Sequence, residues 1–433
     1  MKNLFFNNLK KKIEKKNLIV GVVGLGYVGL PLANVFVKKN IKVYGFDTDI
    51  EKINIINSGK SYINYFKDRD IKLMLKKNFE CFSDFRKINK VDVIILCLPT
   101  PLNKNKTPDM KYIKNSMREI KKYLVEGQTI SLESTTYPGT TREVIATELK
   151  KFNIGKNFFL IYSPEREDPG NKKFSISETP KIVGGYSNNC LQIAFLLYKI
   201  LTNKVIKVSS LETAEFTKLL ENIYRSVNIG MINEMKLLTS KMKINIFEVI
   251  KAAKTKPFGF QAFYPGPGYG GHCIPIDPFL LSWRAEKYKF DTKFIKLSGK
   301  INENMPNIIV RKICSVMQQK KNQKILILGA AYKKNVDDIR ESPSLKIMKL
   351  LEKKSINYDY FDPYVKKISS SRNYKGQIKS IKLNYQNFKK YLMTVVVTDH
   401  DVLDYEKILK NSKIILDARG RYAFDKSSKI IQI

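Results

Sequence analysis

Six residues near the N-terminus, Gly24-Leu25-Gly26-Tyr27-Val28-Gly29, constrain the fold of this chain more than any other feature. They follow the short β-branched run Leu18 to Val23 and open a segment of helical period. Strand, glycine turn and helix in that order begin a β-α-β unit. In this setting Gly24 permits a tight turn, Gly26 lets backbone approach a pyrophosphate and Gly29 lets the helix pack closely on the sheet, with Tyr27 and Val28 completing the loop. The next apolar run, Ile41 to Phe46, ends at Asp47, 18 residues after Gly29. A carboxylate there can hold a ribose 2′-hydroxyl and would repel a 2′-phosphate, so the pattern favours NAD over NADP.

Further buried-strand candidates stand at Val91 to Leu98, Thr129 to Leu132, Phe158 to Tyr162 and Lys204 to Val208, separated by helical stretches such as Met110 to Leu124. Such alternation predicts a doubly wound α/β sheet. From Leu211 to about Met305 strand signals fade, and Phe216, Leu219, Leu220, Ile223, Val227 and Met231 mark a long helix ahead of a Gly/Pro-rich loop. Strands resume at Lys324 to Leu328, Tyr358 to Phe361, Val395 to Val397 and Ile414 to Leu416. The expected organisation is an N-terminal extension (1–16), an NAD-binding Rossmann domain (17–208), a central helical domain (209–305) and a C-terminal α/β domain (306–433). The fold class is therefore α/β, two Rossmann-like doubly wound domains joined by a long central helix.

The net charge of +38 raises the possibility of a nucleic-acid partner, but the lysines are spread along the whole chain and no basic helix interleaved with aromatics stands out. A solvated lysine surface is the simpler reading, and its positive field would attract anionic nucleotide substrates. No apolar run approaches the ~20 residues of a membrane span, and Leu4-Phe5-Phe6 is too short for a signal peptide. A cytoplasmic protein without stable membrane insertion is expected. Met1 to Lys16, with Leu4, Phe5, Leu9 and Ile13, reads as an extra solvated helix or frayed tail rather than a membrane-surface helix. Five scattered cysteines without a C-x-x-C pair, and only two histidines, indicate neither a disulfide framework nor a metal site.

One cysteine differs from the others. Cys273 lies in Pro265-Gly266-Pro267-Gly268-Tyr269-Gly270-Gly271-His272-Cys273-Ile274-Pro275-Ile276-Asp277, where glycines remove the bulk that would bury a thiol. An accessible thiol beside a dinucleotide fingerprint suggests oxidation through a covalent sulfur adduct. Asp277 follows four residues later, whereas His272 is read as a loop histidine whose side chain diverges from Cys273. Strand ends of open α/β sheets are where ligands bind, which draws attention to Thr100, to Thr135 in Glu133-Ser134-Thr135-Thr136, and to Glu165-Arg166. Helix capping is the competing reading for the hydroxyls. Lys218 and Asn222, four apart on the long helix, can present an ammonium and an amide to one oxyanion. Cys97 reads as a small hydrophobe in a strand, and Cys81, Cys190, Cys314 and His400 as structural. Gly329-Ala330-Ala331-Tyr332-Lys333 resembles a phosphate-facing turn, with Lys333, Arg340 and Arg419 as candidate cations.

Taken together these motifs resemble the UDP-glucose/GDP-mannose dehydrogenase family from about Leu18 to Ile433. The G-x-G-Y-V-G start, Ser134 to Thr140, Ser163-Pro164-Glu165, Lys218 with Asn222, the G-G-H-C loop with Asp277, and Lys333-Lys334 with Arg340-Glu341-Ser342 occur in the family's order. Glu165-Arg166-Glu167-Asp168-Pro169-Gly170-Asn171 and Pro257-Phe258-Gly259-Phe260 are most similar to enzymes acting on UDP-N-acetylglucosamine or its galacto isomer. UDP-glucose enzymes of the family carry a lysine where this chain has Ile276. The resemblance implies a four-electron oxidation of the sugar C6 alcohol to a carboxylate by two NAD molecules, for surface polysaccharide precursors, with Cys273 forming a thiohemiacetal and then a thioester. It implies Lys218 and Asn222 at the oxyanion, and Asp277, Thr135 and Glu165 in proton transfer and water positioning. It further implies sugar-nucleotide contacts from Glu165, Arg166, Lys218, Asn222, Tyr264, Gly270, Lys333 and Arg419, NAD contacts from the glycine loop, Asp47, Thr100 and Thr135, and a homodimer formed through the connector helix. A two-electron hydroxyacid dehydrogenase, which has no use for the thiol, and a nucleic-acid binder on an old fold are the alternatives.

Overall fold

The computed structural model describes residues 3–63, 66–103, 105–166, 178–271, 273–318, 323–370, 374 and 376–433. The chain divides into two compact units, Met1–Glu221 with Trp283–Lys289, and Asn222–Ser282 with Phe290–Ile433.

The first unit is built on eight strands: β1 (Ile19–Val23), β2 (Lys42–Phe46), β3 (Phe79–Phe82), β4 (Val93–Leu96), β5 (Thr129–Leu132), β6 (Phe159–Tyr162), β7 (Lys181–Gly185) and β8 (Val205–Lys207). Their order is β3-β2-β1-β4-β5-β6-β7-β8, parallel throughout except where β7 runs antiparallel to β6. The order reverses between β1 and β4, the position at which doubly wound sheets bind ligands. Successive strand residues enter opposite cores: Val20, Val22, Val93 and Ile95 pack on one face, and Val23, Ile94, Leu96 and Ile130 on the other. Burial of both faces is why these strands read as unbroken apolar runs. The strands of this sheet that the sequence reading lacks are β3, where exposed Glu80 breaks the run, and β7, which Lys181 opens and two glycines close.

The helix ahead of the sheet is neither frayed nor merely solvated. Asn3 caps the helix Leu4–Glu14 by accepting the Phe6 amide at 3.1 Å. Leu9 and Ile13 are buried in the core beside Cys190, Ile193 and Leu197 of the helix Asn188–Lys199, and Phe6 meets Phe159 edge-on. The amphipathic pattern of this extension is satisfied by the protein's own core.

The second unit holds β9 (Ile325–Leu328), β10 (Tyr358–Phe361), the short antiparallel pair β11 (Lys367–Ile368) and β12 (Ile378–Lys379), then β13 (Thr394–Val396), β14 (Ile415–Asp417) and β15 (Ile430–Gln432). Its parallel sheet has the order β10-β9-β13-β14-β15, reversing between β9 and β13. The long helix Leu211–Lys241 exists as expected, 31 residues in length, and the division between the units falls within it. Its buried face is mixed rather than the apolar stripe that periodicity suggests: Leu219 is buried, and Ile223 and Val227 are half-buried. Phe216, Leu220 and Met231 are exposed, whereas Lys218, Asn222, Ser226, Asn233 and Lys236 are buried. In the second unit this face packs on the helix Lys293–Met317: Asn233 donates to Asn302 Oδ1 at 2.8 Å, and Asn302 donates to the Ser226 carbonyl. Gly230 makes room, since a Cβ there would lie 2.9 Å from Ser298 Cβ.

Candidate active site

The glycine turn after β1 is shaped for close approach. Gly24 has φ +91°, and a Cβ on it would come 2.5 Å from the Cys97 carbonyl oxygen. A Cβ on Gly29 would run into the Gly24 carbonyl, whereas one on Gly26 would meet nothing within 4 Å. Gly26 therefore faces open space at the start of the helix Gly29–Lys38, which among the described residues no side chain caps. Unfilled space against a helix N-terminus fits a pyrophosphate. Asp47, at the end of β2, accepts the Leu25 amide at 3.0 Å and the Asp49 amide at 3.0 Å, so its carboxylate is fixed at the rim of the turn. Tyr62 closes the same loop by donating to the Leu25 carbonyl. These residues fit NAD, with Gly24 to Gly29 against the pyrophosphate and Asp47 toward the ribose.

At the ends of β4 to β6 the hydroxyls knit loops together. Thr100 is buried and donates to the Thr135 carbonyl at 2.5 Å, and Ser134 Oγ accepts the Leu98 amide at 2.8 Å. Thr135 itself is half-buried. Beneath them lies an ionic cluster that sequence reasoning missed. Lys181 Nζ, 3% exposed, sits 2.8 Å from Glu133 Oε2 and 3.0 Å from Glu165 Oε2, and Tyr198 donates to Glu133 Oε1 at 2.6 Å. Burial acts to lower the Lys181 pKa, yet the two carboxylates outweigh it and hold the ammonium above its ordinary value. Burial pushes the Glu133 carboxyl up against the pull of Lys181. The one available signal was a lysine opening an otherwise apolar strand. Burial, with Glu133 and Glu165 nearby, also pushes the Cys97 thiol well up, which keeps it protonated and inert. Burial raises the Cys81 thiol to about 12. Arg166 pairs with Glu221 at 2.6 Å and donates to the Pro180 carbonyl at 2.7 Å, so both half-buried charges are held in place on the first unit.

The second unit carries the thiol. Cys273 is the exposed member of the five cysteines. Its carbonyl accepts the Asp277 amide at 2.8 Å and the Ile276 amide at 3.0 Å, a tight turn that leads into the helix Asp277–Glu286. Asp277 is buried, and Asn222 Nδ2 donates to its Oδ2 at 2.5 Å. The structure thus brings together two residues 55 positions apart that the sequence reading had placed at one reaction centre. Lys218, one helical turn before Asn222, is also buried. Gly270 serves packing: a Cβ would lie 2.6 Å from Tyr332 Cβ, and the Gly271 amide donates to the Arg340 carbonyl at 2.9 Å. The cysteine loop is thereby clamped on the turn after β9. Gly266 admits Arg419, whose Nη1 would be 2.8 Å from a Cβ there, and its amide donates to Asn233 Oδ1 at 2.9 Å. Lys333 is half-buried and Tyr264 exposed.

The turn after β9 differs from its counterpart after β1. Asp362, at the end of β10, accepts the Ala330 and Ala331 amides at 2.7 and 3.0 Å, and His400 Nε2 lies 2.9 Å from the same oxygen. Because the Asn335 amide donates to His400 Nδ1, the imidazole proton is on Nε2 and points to Asp362. His400 is therefore a fully buried structural group. Asp362 occupies the Ala330 and Ala331 amides, which leaves neither to cradle a phosphate. His272 and Glu167 to Asn171 lie outside the described residues.

Residues 18–202 match the NAD binding domain of the UDP-glucose/GDP-mannose dehydrogenase family. Residues 212–304 match its central domain and 326–424 its UDP binding domain. The chain belongs to this family and is an NAD-dependent nucleotide-sugar dehydrogenase. It is 32% identical over 398 residues, 89% of this chain and 97% of the other, to a UDP-N-acetyl-D-mannosamine dehydrogenase of Campylobacter jejuni. To a UDP-N-acetyl-D-glucosamine 6-dehydrogenase of Pseudomonas aeruginosa it is 34% identical over 358 residues, 81% of this chain and 84% of that one. Among solved structures, a UDP-D-ManNAc dehydrogenase of Pyrococcus horikoshii superposes with a TM-score of 0.86 at 30% identity, covering 96% of this chain and 98% of the other. Among the described residues no helix is long and apolar enough to cross a membrane.

Proposed function

We propose that the protein oxidises the C6 alcohol of a UDP-N-acetylhexosamine to the carboxylate, with UDP-N-acetylglucosamine as first substrate and UDP-N-acetylmannosamine, to which several relatives are assigned by name, as the second. The observation that carries the reading is an exposed thiol on a glycine-thinned loop, one turn from an aspartate held by a buried amide. NAD, when bound, supplies the hydride acceptor for both oxidations. The Cys273 sulfur adds to the C6 aldehyde, giving a thiohemiacetal whose oxygen takes a proton. Loss of the C6 hydrogen as hydride and of the hydroxyl proton leaves a thioester, and water releases the acid and restores the thiol. Lys218 and Asn222 stabilise the developing oxyanion, with the Asn222 amide oriented by Asp277. Asp277, Glu165 and Thr135 position water and carry protons, with Lys181 holding the Glu165 carboxylate at 3.0 Å. Asp47 holds the NAD ribose, and Lys333, Arg419, Arg166 and Tyr264 contact the sugar nucleotide. Exposed Tyr224, Met231 and Leu238, seven residues apart along the long helix, form an apolar stripe that supports a homodimer built on that helix.

The test is NADH formed per mole of limiting sugar nucleotide, with wild type and Cys273→Ser side by side on UDP-N-acetylglucosamine, UDP-N-acetylmannosamine and UDP-glucose. Two equivalents on an N-acetylhexosamine substrate, with turnover collapsing in the variant, are expected. One equivalent, indifferent to the substitution, would leave a two-electron dehydrogenase and reduce Cys273 to a structural residue.

A further inference from the structure

We propose, on the reading that places Thr135 and Lys218 at the reaction centre, that Glu215 is a positioning residue: its carboxylate fastens the turn at residues 139–141 to the long helix and so sets the loop that carries Thr135 relative to Lys218. Glu215 is fully buried on the helix Leu211–Lys241, three residues before Lys218 and on the same face. Its Oε2 accepts the Gly139 amide at 2.5 Å, and its Oε1 accepts both the Thr141 amide at 2.8 Å and the Thr141 hydroxyl at 2.7 Å. The nearby guanidinium groups are engaged elsewhere, Arg142 on Glu212 and Arg284 on Glu143. A carboxyl buried without a cation is costly, and burial raises this one to about 7 against the pull of its three donors. A hydroxyl would suffice to cap a turn that only had to be held. Two acceptor oxygens at a fixed spacing also set how the turn is rotated, and departures from the least costly packing concentrate at functional sites.

The turn held by Glu215 is the far end of the loop after β5. Gly139 adopts φ +98°, a backbone that favours glycine, and Thr140 Oγ1 donates to the Tyr137 carbonyl at 2.7 Å. The Tyr137 ring lies against Trp283, with centroids 4.9 Å apart. At the near end the loop after β4 takes hold, through Thr100 on the Thr135 carbonyl and the Leu98 amide on Ser134 Oγ. Thr135 thus stands between two anchors. Thr136, Tyr137 and Thr140 between it and Glu215 are buried, and close-packed segments pass a displacement on rather than absorb it. In Glu215→Gln one acceptor oxygen remains and an NH2 group is set against a backbone N–H, so the turn must shift. A misplacement of ~1 Å at a reacting group can cost about 100-fold in rate.

Steady-state NADH formation by Glu215→Gln, Thr135→Val and the double variant tests this, assayed above the Glu215 pKa of about 7 on whichever sugar nucleotide the wild type oxidises. Glu215→Gln should lower kcat at least about tenfold with the sugar-nucleotide KM within about twofold of wild type. In the Thr135→Val background its further loss should fall below about twofold, because a residue that acts through another has nothing left to position. Leu9→Ala, which weakens the core of the same unit, should keep wild-type kcat while folded. Wild-type kcat in Glu215→Gln, losses that multiply in the double variant, or an equal loss in Leu9→Ala would overturn the positioning role alone. Full activity in Thr135→Val would overturn it together with the part given to Thr135 in the reaction. Should Glu215→Gln fail to fold, Thr141→Val, which removes one donor and leaves the amide, takes its place: a severalfold lower kcat that vanishes in the Thr135→Val background supports the role, and unaltered kcat refutes it.

Discussion

Replacing Lys181 by methionine keeps the volume of the side chain and removes only its charge. In the native protein this ammonium bridges Glu133 at 2.8 Å and Glu165 at 3.0 Å, and both Lys181 and Glu133 are within a few per cent of full burial. With the cation gone, Glu133 keeps the Tyr198 hydroxyl and faces the Glu165 carboxylate with no cation between them. Breaking a buried ion pair from one side costs about 3–5 kcal/mol, because a charge is left without compensation. The folded-to-unfolded ratio should therefore fall by roughly two to three and a half orders of magnitude. Urea titration of wild type, Lys181→Met, Glu133→Gln and the double variant, followed by circular dichroism, measures the cycle. The double variant should recover most of the loss, since it buries no net charge at the pair. Activity should not recover with it, because Glu165 still lacks the ammonium at 3.0 Å that fixes its carboxylate. A loss below about 1 kcal/mol in Lys181→Met would refute the argument, as only a solvated pair is worth so little.

The two turn glycines should separate binding from folding: Gly26→Ala, whose Cβ enters open space, should leave stability within about 0.5 kcal/mol while raising the KM for NAD at least tenfold, whereas Gly29→Ala should cost about 1–3 kcal/mol. Equal destabilisation by both would show that Gly26 also serves packing. Glu215 accepts the Gly139 and Thr141 amides at 2.5 and 2.8 Å and is fully buried, and burial raises its carboxyl from 4.5 to about 7. A carboxyl with a raised folded-state pKa stabilises the protein fully below 4.5, and that contribution is lost as pH rises through 7, in total about 3 kcal/mol. Glu215→Gln should flatten this part of the stability profile between pH 5 and 8, and an unchanged slope would show that Glu215 titrates normally. Leu9→Ala should lower stability by at least about 2 kcal/mol, as expected of a buried core leucine, and a thermal unfolding curve identical to wild type would mean the N-terminal helix does not dock.

How much was legible depended on whether the signal was local. Strands buried on both faces announce themselves as apolar runs, so β1, β2, β4, β5 and β9 were readable; β3 was not because Glu80 interrupts it, and β7 was not because Lys181 opens it and Gly184-Gly185 close it, leaving only Ile182-Val183 between. The glycine turn and the cysteine loop were readable for a different reason: a backbone forced to φ +91° at Gly24 or +85° at Gly271 leaves glycine in the sequence. Asn222 and Asp277 were individually visible, but their 2.5 Å hydrogen bond joins residues far apart in the chain. By itself, then, the sequence determined the α/β architecture, the dinucleotide turn and the accessible thiol, because each is written into residues adjacent in the chain. Only the tertiary structure decided that the long helix buries Lys218, Asn222, Ser226 and Asn233, that Asp362 fills the turn after β9, and that Glu133 and Glu165 share the Lys181 ammonium. Burial and charge pairing depend on neighbours that folding alone brings together, and no period along the chain encodes them.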